Sequence, residues 1–208
     1  MDHQSDGHQQ NHQSTLKQTS DISTRFYNDQ QLVEACRELR ILIVKTRWNS
    51  TIIESLQKGC IETLLSLNVK VTNILIEDVP GSYELPWACS RILSNAKHHL
   101  NIDAIIAIGT LIKGETMHFE YISESVSNGL MRVSLNHNKP IIFGVLTCLN
   151  DQQARHRSGL LDGDSSKTVG SSTSHNHGCD WAKAAVECSI KSKMFHHADH
   201  KFKSAADL

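Results

Sequence analysis

Asp103-Ala-Ile-Ile-Ala-Ile-Gly-Thr-Leu-Ile-Lys-Gly-Glu-Thr-Met-His-Phe-Glu-Tyr121 carries the strongest signal in the chain. Its first six residues form an apolar, strand-length run, which reads as a buried parallel strand over 103–108. A helical pattern is expected from about 117 to 136. Gly114, Glu115 and Thr116 therefore stand where a strand's C-terminal end passes into a helix N-terminus. Backbone N–H groups at a helix start have no intrahelical partner, and the helix dipole adds partial positive charge. Such a turn can hold a phosphate. His118 follows directly, and histidine is the residue type that carries protons near neutral pH. An anion site beside a proton carrier points to chemistry on a small phosphorylated substrate.

On either side of this stretch strands and helices alternate. Ile41-Leu-Ile-Val-Lys-Thr46 reads as a first buried strand, and Asn49 or Ser50 is placed to cap the helix after it. Ile52, Ile53, Leu56, Cys60, Leu64 and Leu65 recur at helical spacing up to Leu67. Val69 to Ile76 reads as a second strand, Val79-Pro-Gly-Ser-Tyr-Glu-Leu-Pro86 as a turn-rich loop, and a helix is expected from there to about His98. Pro140-Ile-Ile-Phe-Gly-Val-Leu146 reads as a fourth strand. A short helix is expected from near Asp151 and a last one over 178–195, with Trp181, Ala185 and Cys188 on its inner face. Alternation of this kind implies a parallel sheet with right-handed crossovers and an α/β/α three-layer architecture.

Outside this pattern the composition changes. Residues 1–24 are rich in Gln, His, Ser and Asp, with little to bury, and read as disordered. Residues 25–40 are expected to add a short helix or an arm. The expected organisation is a tail over 1–37, one domain over 38–196 with a flexible Gly/Ser-rich loop at 158–174, and a C-terminal tail over 197–208. The formal net charge of -1 offers no basic face for nucleic acid. The apolar runs are too short to span a membrane, and the N-terminus lacks the apolar core of a secretory signal. Six scattered Cys without a C-x-x-C pair read as reduced thiols, which points to the cytoplasm.

In open α/β sheets ligands bind outside the carboxyl ends of the strands. Lys45–Asn49, Pro80–Glu84, Thr110–His118 and Thr147–Asn150 stand at those ends. Trp48 can stack on a planar heterocycle or anchor its loop. Glu84 can bind ligand hydroxyls or serve as a first-turn carboxylate favoured by the helix dipole. His118 can be a general acid and base or an ordinary helix-start histidine. Arg157 can pair with phosphate or be a surface cation. His175-Asn-His-Gly-Cys179 has zinc-site residue types, as do His3, His8 and His12, but no second cluster completes a ligand set, and no metal is expected.

Five motifs then carry a resemblance: Arg47-Trp-Asn49, Val79-Pro-Gly-Ser-Tyr-Glu-Leu-Pro86, Gly109-Thr-Leu-Ile-Lys-Gly-Glu-Thr-Met-His-Phe-Glu-Tyr-Ile122, Pro140-Ile-Ile-Phe-Gly-Val-Leu-Thr-Cys148 and His175-Asn-His-Gly178. In this order and spacing they resemble lumazine synthases, in the fungal form with Trp at position 48. The resemblance implies a flavodoxin-like α/β/α sandwich with a four-stranded parallel sheet and an N-terminal arm. It implies condensation of 5-amino-6-ribitylaminouracil with 3,4-dihydroxy-2-butanone 4-phosphate to 6,7-dimethyl-8-ribityllumazine, the penultimate intermediate of riboflavin, without metal or redox cofactor.

By the same resemblance, Trp48 stacks on the uracil, and Gly81, Ser82, Tyr83 and Glu84 hold the ribityl chain. Backbone of Leu111, Ile112 and Lys113 reads the pyrimidine edge. Gly114, Glu115 and Thr116 bind phosphate with help from Arg157, and His118 shuttles protons. Phe143, with Ile142, reaches in from an adjacent subunit of a homopentamer whose sites lie at subunit interfaces. Two other readings stand beside it: a non-catalytic flavin- or lumazine-binding member, which would share these site residues and differ only in turnover, and a flavodoxin-like phosphate-binding module, which gives no reason for Trp48, Glu84 and His118 to converge on one pocket. The chain departs from the family pattern in its tail, in its longer loop after Arg157, in Ser158 where Ala is usual, and in Cys179 where an acidic residue is usual.

Overall fold

The structure, a computed structural model, describes residues 30–160 and 175–196. The expectations for residues 1–29, for 161–174 of the loop and for the C-terminal tail lie outside the described residues. Four strands form one all-parallel sheet in the order β2-β1-β3-β4: β1 (Ile41–Thr46), β2 (Ile74–Val79), β3 (Ala104–Ile112) and β4 (Ile141–Cys148). Helices α1 (Gln30–Arg37), α2 (Ser50–Ser66), α3 (Leu85–Leu93), α4 (Ala96–Asn101), α5 (His118–His137), α6 (Asp151–Arg157) and α7 (His177–His196) complete the chain.

Strand alternation divides the core between the two faces of the sheet. Ile41 and Ile43 of β1 and Ile106 and Ile108 of β3 pack with Ile53, Leu56 and Leu64 of α2 and Ala182 and Val186 of α7. Leu42, Val44, Ile105 and Ala107 point the other way, onto Leu85 and Cys89 of α3 and Val126 and Leu130 of α5. Because both faces are covered, residues 41–44 of β1 and 104–108 of β3 read as unbroken apolar runs. The three-layer α/β/α expectation therefore holds.

The boundaries differ in instructive ways. The second strand begins at Ile74, not at Val69. Val69 is buried because it closes the end of α2: its N–H donates to Leu64 O at 3.0 Å, and the Asn68 N–H to Leu65 O at 3.0 Å, with Asn68 at φ 69. That is a Schellman-type stop, whose apolar contact imitates a strand start in the sequence. The helix expected to reach His98 breaks at Asn95, whose extended backbone and side-chain bond to the Lys97 N–H start α4. Strands β3 and β4 outlast their apolar runs because they pair with each other as far as Ile112 and Cys148. In α2, Leu65 faces solvent, and in α7 Cys188 is only half-buried while Ala182, Ala185, Val186 and Ser189 form the inner face.

Candidate active site

From β1 the chain goes to β2 on one side and later to β3 on the other, so the sheet's switch point lies between β1 and β3. A pocket of about 540 Å³ opens there, at the carboxyl ends of the strands. It gathers Trp48 from the β1–α2 turn and Gly81, Ser82, Tyr83 and Glu84 from the β2–α3 turn. Leu111 and Ile112 of β3, then Gly114, Thr116 and His118, close the other side. Lys113, Glu115, Phe143 and Arg157 do not line it.

Each wall follows from local geometry. Asn49 takes the left-handed conformation (φ 58) that turns β1 into α2, a conformation Asn tolerates. Its side chain makes no cap bond, against expectation; Nδ2 instead donates to Thr110 O at 3.4 Å, tying the turn to β3. Trp48 beside it is 72% exposed, so it does not anchor the loop within this chain. Glu84 Oε2 accepts the Gly81 N–H at 2.9 Å and locks the β2–α3 turn. The turn presses on β3 at Gly109, where a Cβ would lie 2.6 Å from Ser82 Oγ.

Pairing between β1 and β3 stops at Ile108, whereas β3 continues along β4 to Ile112. One edge of residues 109–112 thus has no strand partner, and its backbone polar groups border the pocket. The Lys113 N–H is spent on Cys148 O at 2.9 Å. The Lys113 ammonium pairs with Glu120 across the β3–α5 turn, and this hydrogen bond holds the Glu120 carboxyl below its usual range. A Cβ on Gly114 would meet nothing within 4 Å, so the turn stands open. Its remaining constraint is the His118 N–H, which donates to Thr116 Oγ1 at 3.4 Å. Asn49, Thr110, Phe119 and Ile122 also line the pocket. The buried Thr110 hydroxyl has no hydrogen-bond partner among the described residues, and only its place at the end of an apolar run marks it in the sequence.

The remaining motif works elsewhere. Arg157 ends α6, exposed, with Nη1 3.1 Å from His177 Nε2. His175 Nε2 lies 2.7 Å from Asp180 Oδ2. Asn176 Nδ2 donates to Ser55 O at 2.8 Å, and its Oδ1 accepts the Gly178 N–H at 2.8 Å. At Gly178 a Cβ would lie 2.2 Å from Leu56 O. His175-Asn-His-Gly178 thus fastens the start of α7 to α2 and meets Arg157, a role its zinc-like composition hides. Phe143 sits on the outer strand β4, 41% exposed.

Comparison with known proteins agrees with this architecture. Residues 38–193 match the family model described as 6,7-dimethyl-8-ribityllumazine synthase. The chain is 51% identical over 155 residues to the 6,7-dimethyl-8-ribityllumazine synthase of Schizosaccharomyces pombe, covering 74% of this chain and 88% of that protein. It is 45% identical over 185 residues to the protein of the same name from Pyricularia oryzae, again 74% and 88%. A bacterial relative of that name, from Porphyromonas gingivalis, is 39% identical over 147 residues, 69% of this chain and 89% of its own length. With the match spanning the whole α/β/α domain, the chain belongs to the 6,7-dimethyl-8-ribityllumazine synthase family.

Proposed function

We propose that the pocket between β1 and β3 condenses 5-amino-6-ribitylaminouracil with 3,4-dihydroxy-2-butanone 4-phosphate, the transferase reaction that completes the lumazine precursor of riboflavin. The observation that carries this reading is the convergence of Trp48, the Glu84 turn, the free edge of β3 and His118 on one pocket. A flavodoxin-like phosphate module gives no reason for Trp48, Glu84 and His118 to share one pocket, whereas a non-catalytic flavin- or lumazine-binding member would share them and differ only in turnover.

The steps suit these groups. The pyrimidine stacks on Trp48, with its polar edge against the backbone of Leu111 and Ile112. The ribityl hydroxyls meet the turn Gly81–Glu84. The phosphate sits at Gly114, Glu115 and Thr116, where the start of α5 offers backbone N–H groups and positive dipole. The amine attacks the ketone, water leaves as the imine forms, phosphate departs, and the ring closes with loss of a second water. His118 moves protons between these steps. No electron is transferred, so the chemistry calls for no redox cofactor. Holding two reactants together lowers most of the barrier.

The pocket lacks two expected walls, since Phe143 and Arg157 lie outside it. A neighbouring copy of the chain supplies them in this reading, with a homopentamer as the working assembly. An uncovered apolar face supports a neighbour: Trp87, Tyr121, Met131 and Leu135 of α3 and α5 are all exposed. Among the described residues no helix is long and apolar enough to cross a membrane, and the cytoplasm is the proposed compartment. The deciding experiment mixes both substrates with the protein and follows the lumazine by its absorbance. Ligand binding without turnover would favour the non-catalytic alternative.

A further inference from the structure

The contact between Arg157 and His177 fixes a protonation state. A guanidinium carries only donors, so at 3.1 Å His177 Nε2 must accept from Nη1 and bear no proton. The neutral ring's proton then sits on Nδ1, which faces Asp180 Oδ2 at 3.7 Å. Arg157 is exposed at the last residue of α6, and this is its hydrogen bond among the described residues. His177, half-buried at the first residue of α7, is the firmer of the two, because Asn176 and Gly178 on either side are bound to α2. One guanidinium nitrogen is thereby pinned, and the other donors stay available for an anion.

We propose that His177 is a positioning residue that presents Arg157 to the phosphate of the four-carbon substrate, and that protonation of His177 releases it. This rests on the reading of Arg157 as the phosphate-binding cation. Protonated Nε2 has no lone pair to accept with, and it faces Arg157 as a like charge. The groups around the ring are Arg157 and His156 from α6, His175 from the segment before α7, and Asp180 and Trp181 on α7. Burial, then Arg157, push the imidazole below its ordinary range; Asp180 opposes them, and His175 and His156 add to them. The acceptor form therefore prevails at neutral pH, and the contact is lost only on the acid side.

The test measures KM for the butanone phosphate, KM for the aminouracil and kcat on the full chain from about pH 8 to about pH 5.5. His177→Ala is expected to raise KM for the phosphate substrate about three- to tenfold at pH 7.5, as for loss of one ordinary hydrogen bond, with kcat and the aminouracil KM nearly unchanged. His177→Gln keeps an acceptor without a titrating ring. It should restore the neutral-pH KM, and the wild-type-to-Gln ratio of KM should rise as pH falls. The substrate phosphate titrates near pH 6 for both enzymes and cancels in that ratio. A ratio flat with pH, or a normal phosphate KM in His177→Ala beside a raised one in Arg157→Ala, overturns the positioning role and leaves the site reading intact. A normal KM in Arg157→Ala overturns both.

Discussion

Asn176 occupies the space that a side chain at position 59 would need: a Cβ on Gly59 would lie 2.6 Å from Asn176 Oδ1. That oxygen already accepts the Gly178 N–H, and its amide nitrogen is bonded to Ser55 O, so it has no room to give. Gly59→Ala is thus expected to cost about 1–3 kcal/mol by overpacking and to lower the melting temperature. Since the same segment holds His177 against Arg157, KM for the phosphate substrate should rise in step. Calorimetry together with steady-state kinetics checks both. A melting temperature equal to the wild type would mean that the α2–α7 contact yields freely.

His118→Ala should be impaired rather than inactive. Removing one general acid and base typically costs about 10²–10⁴-fold, whereas the advantage of holding two substrates together survives. It is exposed at the start of α5, so its removal leaves the core packing untouched. Unchanged kcat would remove His118 from the mechanism.

Trp48→Ala separates the two substrates. With 72% of its surface exposed, Trp48 contributes little to the core, so the melting temperature should hold. Affinity for the aminouracil and for flavin-like rings should fall by about one to two decades, as for loss of stacking worth about 1–3 kcal/mol. Titration calorimetry against each substrate decides it. Weaker phosphate-substrate binding with normal aminouracil binding would be the wrong pattern.

Mixed assemblies test the shared site. His118→Ala alters the pocket, while Arg157→Ala alters a residue outside it. Co-expressed chains carrying one change each should regain activity, because some interfaces then join an intact pocket to an intact Arg157. Light scattering of the unmodified protein should give about five times the 23.2 kDa chain. Mixtures no more active than the two parents, or a fully active monomer, would place every catalytic group in one chain.

Much of this molecule is readable from local order. Residues 41–44 and 104–108 lie in strands because an apolar stretch of that length must be covered on both faces, and the α/β/α layers follow. The strand-to-helix passage at Gly114–His118 locates the pocket, since ligands gather at the strands' carboxyl ends. What local order misreads are residues with two uses. Val69 looks like a strand start and is a helix stop, because burial at a Schellman turn and burial in a ladder leave the same apolar letter.

Tertiary structure alone decided the rest. Asn49 reaches Thr110, and His177 meets Arg157 across 20 positions, through hydrogen bonds whose partners lie in other elements. The edge of β3 that borders the pocket exists only because β1 stops pairing at Ile108 while β4 continues, which is a matter of relative strand length. The sequence specifies which residues can strand, cap or donate, since those properties belong to a residue and its nearest neighbours. Which donor finds which acceptor depends on how separate elements pack, and that is settled only when the two faces of the sheet are filled.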